Sequence, residues 1–244
     1  MQLFIGIDDT DNLETRGTGF RAREMAGLMA ADERTSILGI TRHQHFVHPD
    51  IPYTSHNGSA CVVADTNDPA RIWEVCSVYL KSHAAEGSDV GLALALPEQI
   101  SPELIRWAYA TKKQVVTMEQ AYSLSHDTGI RLEGFTGNRQ GIIGAIASVA
   151  LRYNGNDGRF IATAGNFHLR DLAPGTYPAA WLLNTLKADI ITDLSGNPVD
   201  RSGQIVAGQY LRPVLINGKC TILVTQTSQA NVWTAAPKDI IAGY

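Results

Sequence analysis

The sequence predicts an α+β fold, in the form of an α/β-like sandwich, followed by a smaller β-rich C-terminal segment. Short apolar runs that favour strands alternate with segments of helical periodicity up to about residue 150. From Ile190 onward the pattern changes to turn-rich stretches and to alternating apolar and polar residues. The 244 residues, 44% hydrophobic and 18% charged, suffice for one large globular unit or two small ones.

The predicted elements follow in the order strand, helix, strand, strand, helix, strand, and then mostly helix. The apolar run at 3–7 favours a buried strand, and apolar residues in helical rhythm come after it. Helix starts are indicated by Ser101 ahead of Pro102 and by Thr117 with a Gln three residues later. Asn-Gly at 217–218, between alternating runs, predicts a hairpin. Other expected strands lie at 36–41, 60–64 and 90–96, and other expected helices around 72–80 and 142–150.

Charge and cysteine content narrow the function classes. A net charge of −4 and a pI near 6.0 argue against broad binding to a nucleic-acid backbone, which needs a basic surface. Three scattered cysteines with no CxxC pair argue against a structural zinc site and a disulfide framework. No apolar run of about 18 residues exists, and the first residues lack the features of a signal peptide. We therefore expect a cytoplasmic protein without a membrane span.

An acidic loop directly behind the first predicted strand is the main candidate site. It contains Asp8, Asp9 and Asp11, and Gly17 and Gly19 then lead into a helix. Carboxylates this close repel one another, which raises the pKa of at least one of them unless a cation is bound. Mg²⁺ is the natural cation, because it takes one or two carboxylates together with phosphate oxygens. The helix after the glycines offers N–H groups to an anion. The alternative is a solvated acidic turn.

A second glycine-rich segment, GFTGNRQGIIGAIASVA, precedes and enters the helix expected around 142–150. Its spacing matches no standard phosphate loop. Gly141 and Gly144 are three residues apart, so they would share a helix face and allow close packing. Packing does not account for the polar residues at the helix start. Arg139 there suits a phosphate or a carboxylate.

The region between the second and third expected strands is polar and contains four histidines. They are His43, His45, His48 and His56. Their spacing fits no standard zinc pattern, so surface loop positions are expected, with metal binding as the alternative. The stretch PYTSHNGSA within this region either lines a cleft or forms an ordinary turn.

Three segments in fixed order resemble a known family. GIDDTD at 6–11, IPYTSHNGSACVV at 51–63 and GNRQGIIGAIASVA at 137–150 are similar to motifs of the archaeal 2-agmatinylcytidine synthetases, which modify an isoleucine tRNA. The resemblance covers roughly residues 1–165. It divides the chain into a catalytic core at 1–165 and a smaller β-rich segment at 166–244.

The resemblance implies a kinase-like catalytic domain with ferredoxin-like elements, and the use of ATP and Mg²⁺. By resemblance, Asp8, Asp9 and Asp11 would hold Mg²⁺ and phosphates, and the segment from Gly137 to Gly144 would line the nucleotide site.

The sequence also departs from the family. Where the family has Gly-x-Cys-Thr-Thr, this chain has Gly-Thr-Gly-Phe at 17–20, so only Thr18 could stand in for a reactive threonine. The family's Lys-Thr-Arg corresponds to Tyr53, Thr54 and Ser55, which removes two cations. Zinc-ribbon cysteines are missing from the sequence. The sequence therefore does not support assigning the family's tRNA substrate to this chain.

We expect an ATP- and Mg²⁺-dependent phosphotransferase or ligase-like enzyme that acts on a small molecule of unknown identity. The first alternative is a non-catalytic nucleotide- or metabolite-binding protein. The second is an RNA-modifying enzyme that needs a partner to bind RNA. The sequence leaves open whether the protein forms a homo-oligomer. The predicted catalytic residues are Asp8, Asp9, Asp11 and Thr18, with the three aspartates as metal ligands. The predicted nucleotide-binding residues are Gly17, Gly19, Gly137, Asn138, Arg139 and Gly141.

Overall fold

The computed structural model describes residues 1–53, 56–165 and 169–244, and across them twelve strands form one mixed sheet with seven α-helices packed against it. The strands are β1 (Gln2–Asp8), β2 (Ser36–Gln44), β3 (Gly58–Asp65), β4 (Gly91–Ala95), β5 (Arg131–Gly134), β6 (Arg159–Thr163), β7 (Gly175–Pro178), β8 (Ile190–Asp193), β9 (Gln204–Ala207), β10 (Val214–Ile216), β11 (Lys219–Gln226) and β12 (Val232–Ala235). The helices are α1 (Thr18–Ala30), α2 (Pro69–His83), α3 (Pro102–Ala110), α4 (Met118–Thr128), α5 (Ile142–Asn154), α6 (Ala179–Leu186) and α7 (Lys238–Ala242).

The first four strands and two helices form a ferredoxin-like unit. The chain order is β1-α1-β2-β3-α2-β4, and the strands lie in the order β4-β1-β3-β2 with every neighbouring pair antiparallel. Apolar residues of α1 and α2 pack on the same face of these strands in one core. This arrangement confirms the expected α+β class and its ferredoxin-like elements. The kinase-like description stays a prediction.

The opposite face of the same strands is covered by α3, α4 and α5, which gives three layers. Helix α5 approaches the sheet unusually closely. A Cβ atom on Gly6 would lie 2.0 Å from the carbonyl oxygen of Ala145, and one on Gly91 would lie 2.2 Å from the carbonyl carbon of Gly141. Only glycine permits these distances, so the start of α5 is fixed against the ends of β1 and β4.

The C-terminal part continues the sheet from β6 in the order β6-β10-β11-β12-β9-β7, and β8 pairs with β11. The predicted hairpin is confirmed: Asn217 and Gly218 join β10 to β11 with φ angles of +50° and +74°. A second core lies under this part and includes the buried face of α6. The sequence pattern did not indicate α6, because its eight residues follow Pro178 without a side-chain cap. The boundary at 165/166 stays a prediction.

Two expectations about local structure are corrected. Strand β2 runs to Gln44, whereas the sequence pattern predicts a loop from Arg42. His43 and His45 are buried rather than exposed, because neighbouring side chains satisfy their ring nitrogens. The three cysteines are free and buried. Among the described residues, no helix has the length and apolar content needed to cross a membrane.

Candidate functional site

A cleft at the carboxyl end of β1 brings all four predicted catalytic residues together. Its volume is about 700 Å³ when the open solvent at its mouth is included. Its walls come from the acidic loop, the start of α1, the segments on either side of residues 54–55, the loop after α3 and the start of α5. The lining residues are Asp8, Asp9, Asp11, Thr18, His45, Ile51, Pro52, Tyr53, His56, Asn57, Gly58, Thr111, Gln114, Val116, Gln140, Gly141, Ile143 and Gly144.

Asp8 ends β1 and lies against the first turn of α5. A Cβ atom on Gly144 would stand 1.9 Å from Asp8 Oδ2, so the carboxylate occupies the space that the glycine leaves open. Asp8 Oδ1 accepts a hydrogen bond from the backbone N–H of Asp9 at 2.8 Å. Burial and the neighbouring Asp9 raise the pKa of Asp8 to about 8. Near neutral pH this carboxyl group therefore favours its protonated form, unless a cation compensates its charge.

Asp9, the next residue, has a left-handed backbone conformation, with a φ angle of +52°. Burial and the nearby Asp89 raise its pKa to about 6. Asp89, just ahead of β4, is a site residue that the sequence did not indicate. Its Oδ1 accepts a hydrogen bond from the backbone N–H of Asn138 at 2.5 Å, and its own backbone N–H donates to the Asp9 carboxylate. Asp89 therefore connects the acidic loop to the second glycine-rich segment. The one local signal for Asp89 is its position directly before the strand expected at 90–96. The sequence pattern does not show that this strand pairs with β1, which is what places Asp89 beside Asp9.

Asp11 has a different role from the other two acids. Its Oδ1 accepts hydrogen bonds from both the backbone N–H and the hydroxyl of Thr18, each at 3.0 Å. The carboxylate therefore caps α1 from outside the helix. Thr18 is buried, and its hydroxyl also accepts from the Thr10 hydroxyl at 3.3 Å. The Thr18 proton is thus directed at Asp11.

Several amides at the starts of α1 and α5 already donate within the protein. Besides that of Thr18, they include the N–H of Phe20 to the Gly17 carbonyl and the N–H of Gly141 to the Asp89 carbonyl, both at 2.8 Å. Asn138 donates to Asp89, as described above. Of the predicted nucleotide-binding residues, Gly141 lines the cleft. Gly17, Gly19, Gly137, Asn138 and Arg139 are not among its described lining residues, and their roles stay predictions.

Packing explains the two glycines that begin α5. A Cβ atom on Gly141 would lie 2.8 Å from the carbonyl oxygen of Asp8. Gly144 lies against the side chain of Asp8. The prediction that these glycines allow close packing is therefore confirmed. They also bring the helix start to the acids.

The donor set fits Mg²⁺ better than a metal held by protein alone. In the part of the chain that the structure describes, no three His, Cys, Asp or Glu side chains are placed to hold a metal ion together. Asp8 and Asp9 supply a close pair of carboxylates whose raised pKa values reflect burial and unrelieved repulsion. Mg²⁺ suits such a pair, since it retains waters and takes substrate oxygens. The Mg²⁺ assignment itself stays a prediction.

Two buried histidines support the wall of the cleft. His45 lines it and makes hydrogen bonds through Nδ1 to the Thr111 hydroxyl at 2.9 Å and through Nε2 to the Ser59 hydroxyl at 2.6 Å. Because the Thr111 hydroxyl donates to the Ala108 carbonyl at 2.7 Å, it accepts from Nδ1–H of a neutral imidazole. Burial lowers the pKa of His45 to about 3, consistent with that neutral form.

His43 belongs to a buried ion-pair network behind this wall. Its Nδ1 pairs with Asp157 Oδ1 at 2.9 Å and its Nε2 with the Thr41 hydroxyl at 2.8 Å, and Lys112 donates to Asp157 Oδ2. Burial lowers the pKa of His43. Burial acts to raise the pKa of Asp157, but the bond from His43 and the Lys112 ammonium outweigh it and lower that pKa.

The stretch PYTSHNGSA lines the cleft, which settles the alternative left open by the sequence. Pro52, Tyr53, His56, Asn57 and Gly58 all contribute to the wall. Thr54 and Ser55, which belong to the stretch that corresponds to the family's Lys-Thr-Arg, lie outside the described residues.

Arg42 is a cation near the acids that the sequence did not indicate. It lies half-buried on β2 and interacts electrostatically with Asp8 and Asp11. Burial, followed by repulsion from Arg159, lowers its pKa. Its position could not be inferred locally, because it depends on how β2 pairs within the sheet.

Comparison with solved structures finds the same core in enzymes that are named for tRNA. A structure of apo TiaS, a tRNA agmatidine synthetase, matches with a TM-score of 0.53 and 23% identity over 62% of this chain and 35% of that one. A complex of TiaS with tRNA and ATP matches with a TM-score of 0.52 and 25% identity over 62% of this chain and 36% of that one. A tRNA fluorescent labeling enzyme matches with a TM-score of 0.54 and 24% identity over 62% and 36%.

This chain thus spans about one third of the length of those enzymes. No family model matches it, and no curated protein does. The resemblance drawn from the motifs is confirmed: the chain has a TiaS-like core.

Proposed function

We propose that this chain is an ATP- and Mg²⁺-dependent phosphotransferase or ligase-like enzyme whose reaction takes place above Asp8 and Asp9. One observation carries the proposal. Two carboxylates with raised pKa values stand at the end of β1, against the glycines that open α5, inside a cleft. Their repulsion costs folding free energy, and a bound cation would remove that cost.

Asp8 and Asp9 would hold Mg²⁺, which when bound neutralises phosphate charge during phosphoryl transfer. The backbone N–H of Asp89 donates a hydrogen bond to the Asp9 carboxylate and would keep it in place. In this chemistry, positioning and electrostatic stabilisation supply most of the catalysis. The engaged amides at the starts of α1 and α5 leave phosphate contacts to the cation and to side chains.

Thr18 is proposed as a phosphoryl acceptor within the site. Its hydroxyl donates to Asp11 at 3.0 Å, so Asp11 is placed to take the proton. In this step Thr18 Oγ1 would form a bond to the γ-phosphorus of ATP while the bond from that phosphorus to the β,γ-bridging oxygen breaks and ADP leaves. Apolar groups at the cleft wall provide surfaces for a nucleobase, namely Ile51, Val116, Ile143 and the ring of Tyr53.

The final acceptor is proposed to be a small molecule, with RNA as the second candidate. The net charge of −4 supports the first choice. The fold shared with solved enzymes that are named for tRNA supports the second. A gel shift with tRNA that persists at moderate salt would favour RNA, and turnover against a metabolite panel would favour the small molecule.

Thermal unfolding with ATP and Mg²⁺ tests the site. Saturating ligand is expected to raise the unfolding free energy by roughly 2–4 kcal/mol. Asp8→Asn should abolish Mg²⁺-dependent ATP binding while the protein stays folded. Asp127→Asn is the matched control, since Asp127 is exposed on α4. Unchanged affinity in Asp8→Asn, or no shift in the parent protein, would reject the proposed function. Binding without turnover of any acceptor would leave a non-catalytic nucleotide-binding protein.

A further inference from the structure

Two arginines lie directly opposite each other on neighbouring strands beside the cleft. Arg42 of β2 pairs in register with Arg159 of β6 in an antiparallel arrangement. Opposite residues of such a pair stand on the same face, with Cβ atoms about 4.5–5.5 Å apart. Like charges placed this way repel, so the pair destabilises the sheet unless an anion lies between the two guanidinium groups.

No internal partner within the described part of the chain explains the pairing of the two arginines. Both are half-buried, and neither guanidinium makes a hydrogen bond or a short ion pair with the residues that the structure describes. Repulsion from Arg159 contributes to the lowered pKa of Arg42, after burial. Two cations are thus held together at a partly desolvated place, where attraction from Asp8 and Asp11 does not offset burial and the repulsion from Arg159 at Arg42.

The Arg42 guanidinium reaches the edge of the cleft. Its Nε and Nη2 atoms lie 3.2 and 3.3 Å from the position of a Cβ on Gly58, which lines the cleft. The absence of a side chain at Gly58 leaves room for the guanidinium there. Thr18 and Asp11 line the same cleft, and Asp11 interacts electrostatically with Arg42.

We infer that Arg42 and Arg159 form an oxyanion subsite that receives a phosphate group beside the acidic cluster. Guanidinium groups bind phosphate oxygens through paired hydrogen bonds, and one phosphate between them would remove their repulsion. The inference deepens the proposed function and rests on it for the identity of the ligand. The phosphate belongs either to a nucleotide or to a nucleic-acid backbone.

Titration calorimetry with tripolyphosphate, without Mg²⁺, tests the subsite directly. Arg42→Gln and Arg159→Gln are each expected to weaken tripolyphosphate binding about tenfold or more. Without ligand, both variants should melt at the same temperature as the parent protein or higher, because the repulsion is gone. Arg201→Gln, at an exposed turn, is the matched control and should bind like the parent. If a Gln variant fails to fold, the Lys variants keep the charge and should show a smaller loss.

The outcomes separate the subsite from the proposed function. Equal tripolyphosphate binding in parent and variants overturns the subsite, even where ATP with Mg²⁺ binds. Arginine-dependent tripolyphosphate binding without any ATP binding overturns the function and leaves the subsite standing. Competition between tripolyphosphate and ATP assigns the phosphate to a nucleotide. Competition with tRNA alone assigns it to a nucleic-acid backbone.

Discussion

Two buried acidic sites in this protein, at Asp157 and at Asp8, differ in the source of the positive charge that compensates their carboxylates. Asp157 is buried, and its counter-charges are built in: Lys112 and the hydrogen bond from His43 lower its pKa. Asp8 is buried as well, but its neighbour is the acidic Asp9, and burial together with this neighbour raises the pKa of Asp8 to about 8. Both lie near the same end of the sheet, so burial alone does not explain the difference. A carboxylate with its partner inside the chain is part of the framework. Attraction from Arg42 does not offset the burial of Asp8 and the repulsion from Asp9, which indicates a place for an external cation.

Removing Asp157 should have the largest effect. Asp157→Ala leaves Lys112 and His43 without their acceptor in a buried position, which costs about 3–5 kcal/mol. Urea denaturation measures the loss. Asp127→Ala, at an exposed position, should change stability by less than about 0.5 kcal/mol. Equal stabilities of the two variants would contradict the contrast between the clusters.

Gly144→Ala should have the next largest effect, because it disturbs the acidic cluster by shape alone. The new methyl group would overlap Asp8 Oδ2, and overpacking of this kind costs about 1–3 kcal/mol. Displacement of the carboxylate should also weaken Mg²⁺-dependent ATP binding. Gly27→Ala, with open space around its Cβ position, is the control and should be neutral or slightly stabilising. ATP affinity that survives Gly144→Ala would show that the Asp8 position is not critical.

The pH dependence of stability should identify the unrelieved carboxylates. Asp8 and Asp9 have folded-state pKa values of about 8 and 6, above the ordinary 3.8, so folding favours their protonated forms. Their contribution is complete below about pH 4 and is lost as the pH rises through 6 and 8. Without Mg²⁺, Asp8→Asn should exceed the parent in stability by about 1–3 kcal/mol at pH 9.

Denaturation at several pH values, with and without Mg²⁺, measures this difference. The gain of Asp8→Asn should shrink near pH 4, and Mg²⁺ should reduce the decline of the parent protein at high pH. A parent protein that gains stability relative to Asp8→Asn between pH 5 and 9 would contradict the proposed repulsion within the cluster.

Thr18→Val should have the smallest effect on stability. It removes the hydroxyl bond to Asp11 but keeps the N–H bond that caps α1, so a loss of about 1 kcal/mol is expected. Thr18→Ser retains the hydroxyl and should remain close to the parent. Mass spectrometry after incubation with ATP and Mg²⁺ tests the chemistry: phosphorylation at residue 18 is expected in the parent and the Ser variant, and not in the Val variant.

Local patterns predicted much of the fold and part of the candidate site. Strand β1, the acidic loop and α1 follow from periodicity and turn residues that lie within a few positions of one another. The placement of Asp89 beside Asp9, and of Arg42 near Asp11, could not be predicted. Each depends on strand pairings between segments tens of residues apart. The prediction for His43 was wrong for the same reason, because its partner Asp157 is 114 residues away.

Strand β6 has a consequence for the size of the smallest stable unit. Its Phe160 N–H donates to the Pro213 carbonyl, and its Gly158 neighbour accepts from Leu215 N–H. A protein cut at the predicted boundary of 165/166 would lose both bonds and would turn β6 into an open edge. Open edges recruit other strands, so such a fragment would tend to aggregate. We therefore expect the N-terminal part of the chain to depend on the β-rich tail for its solubility.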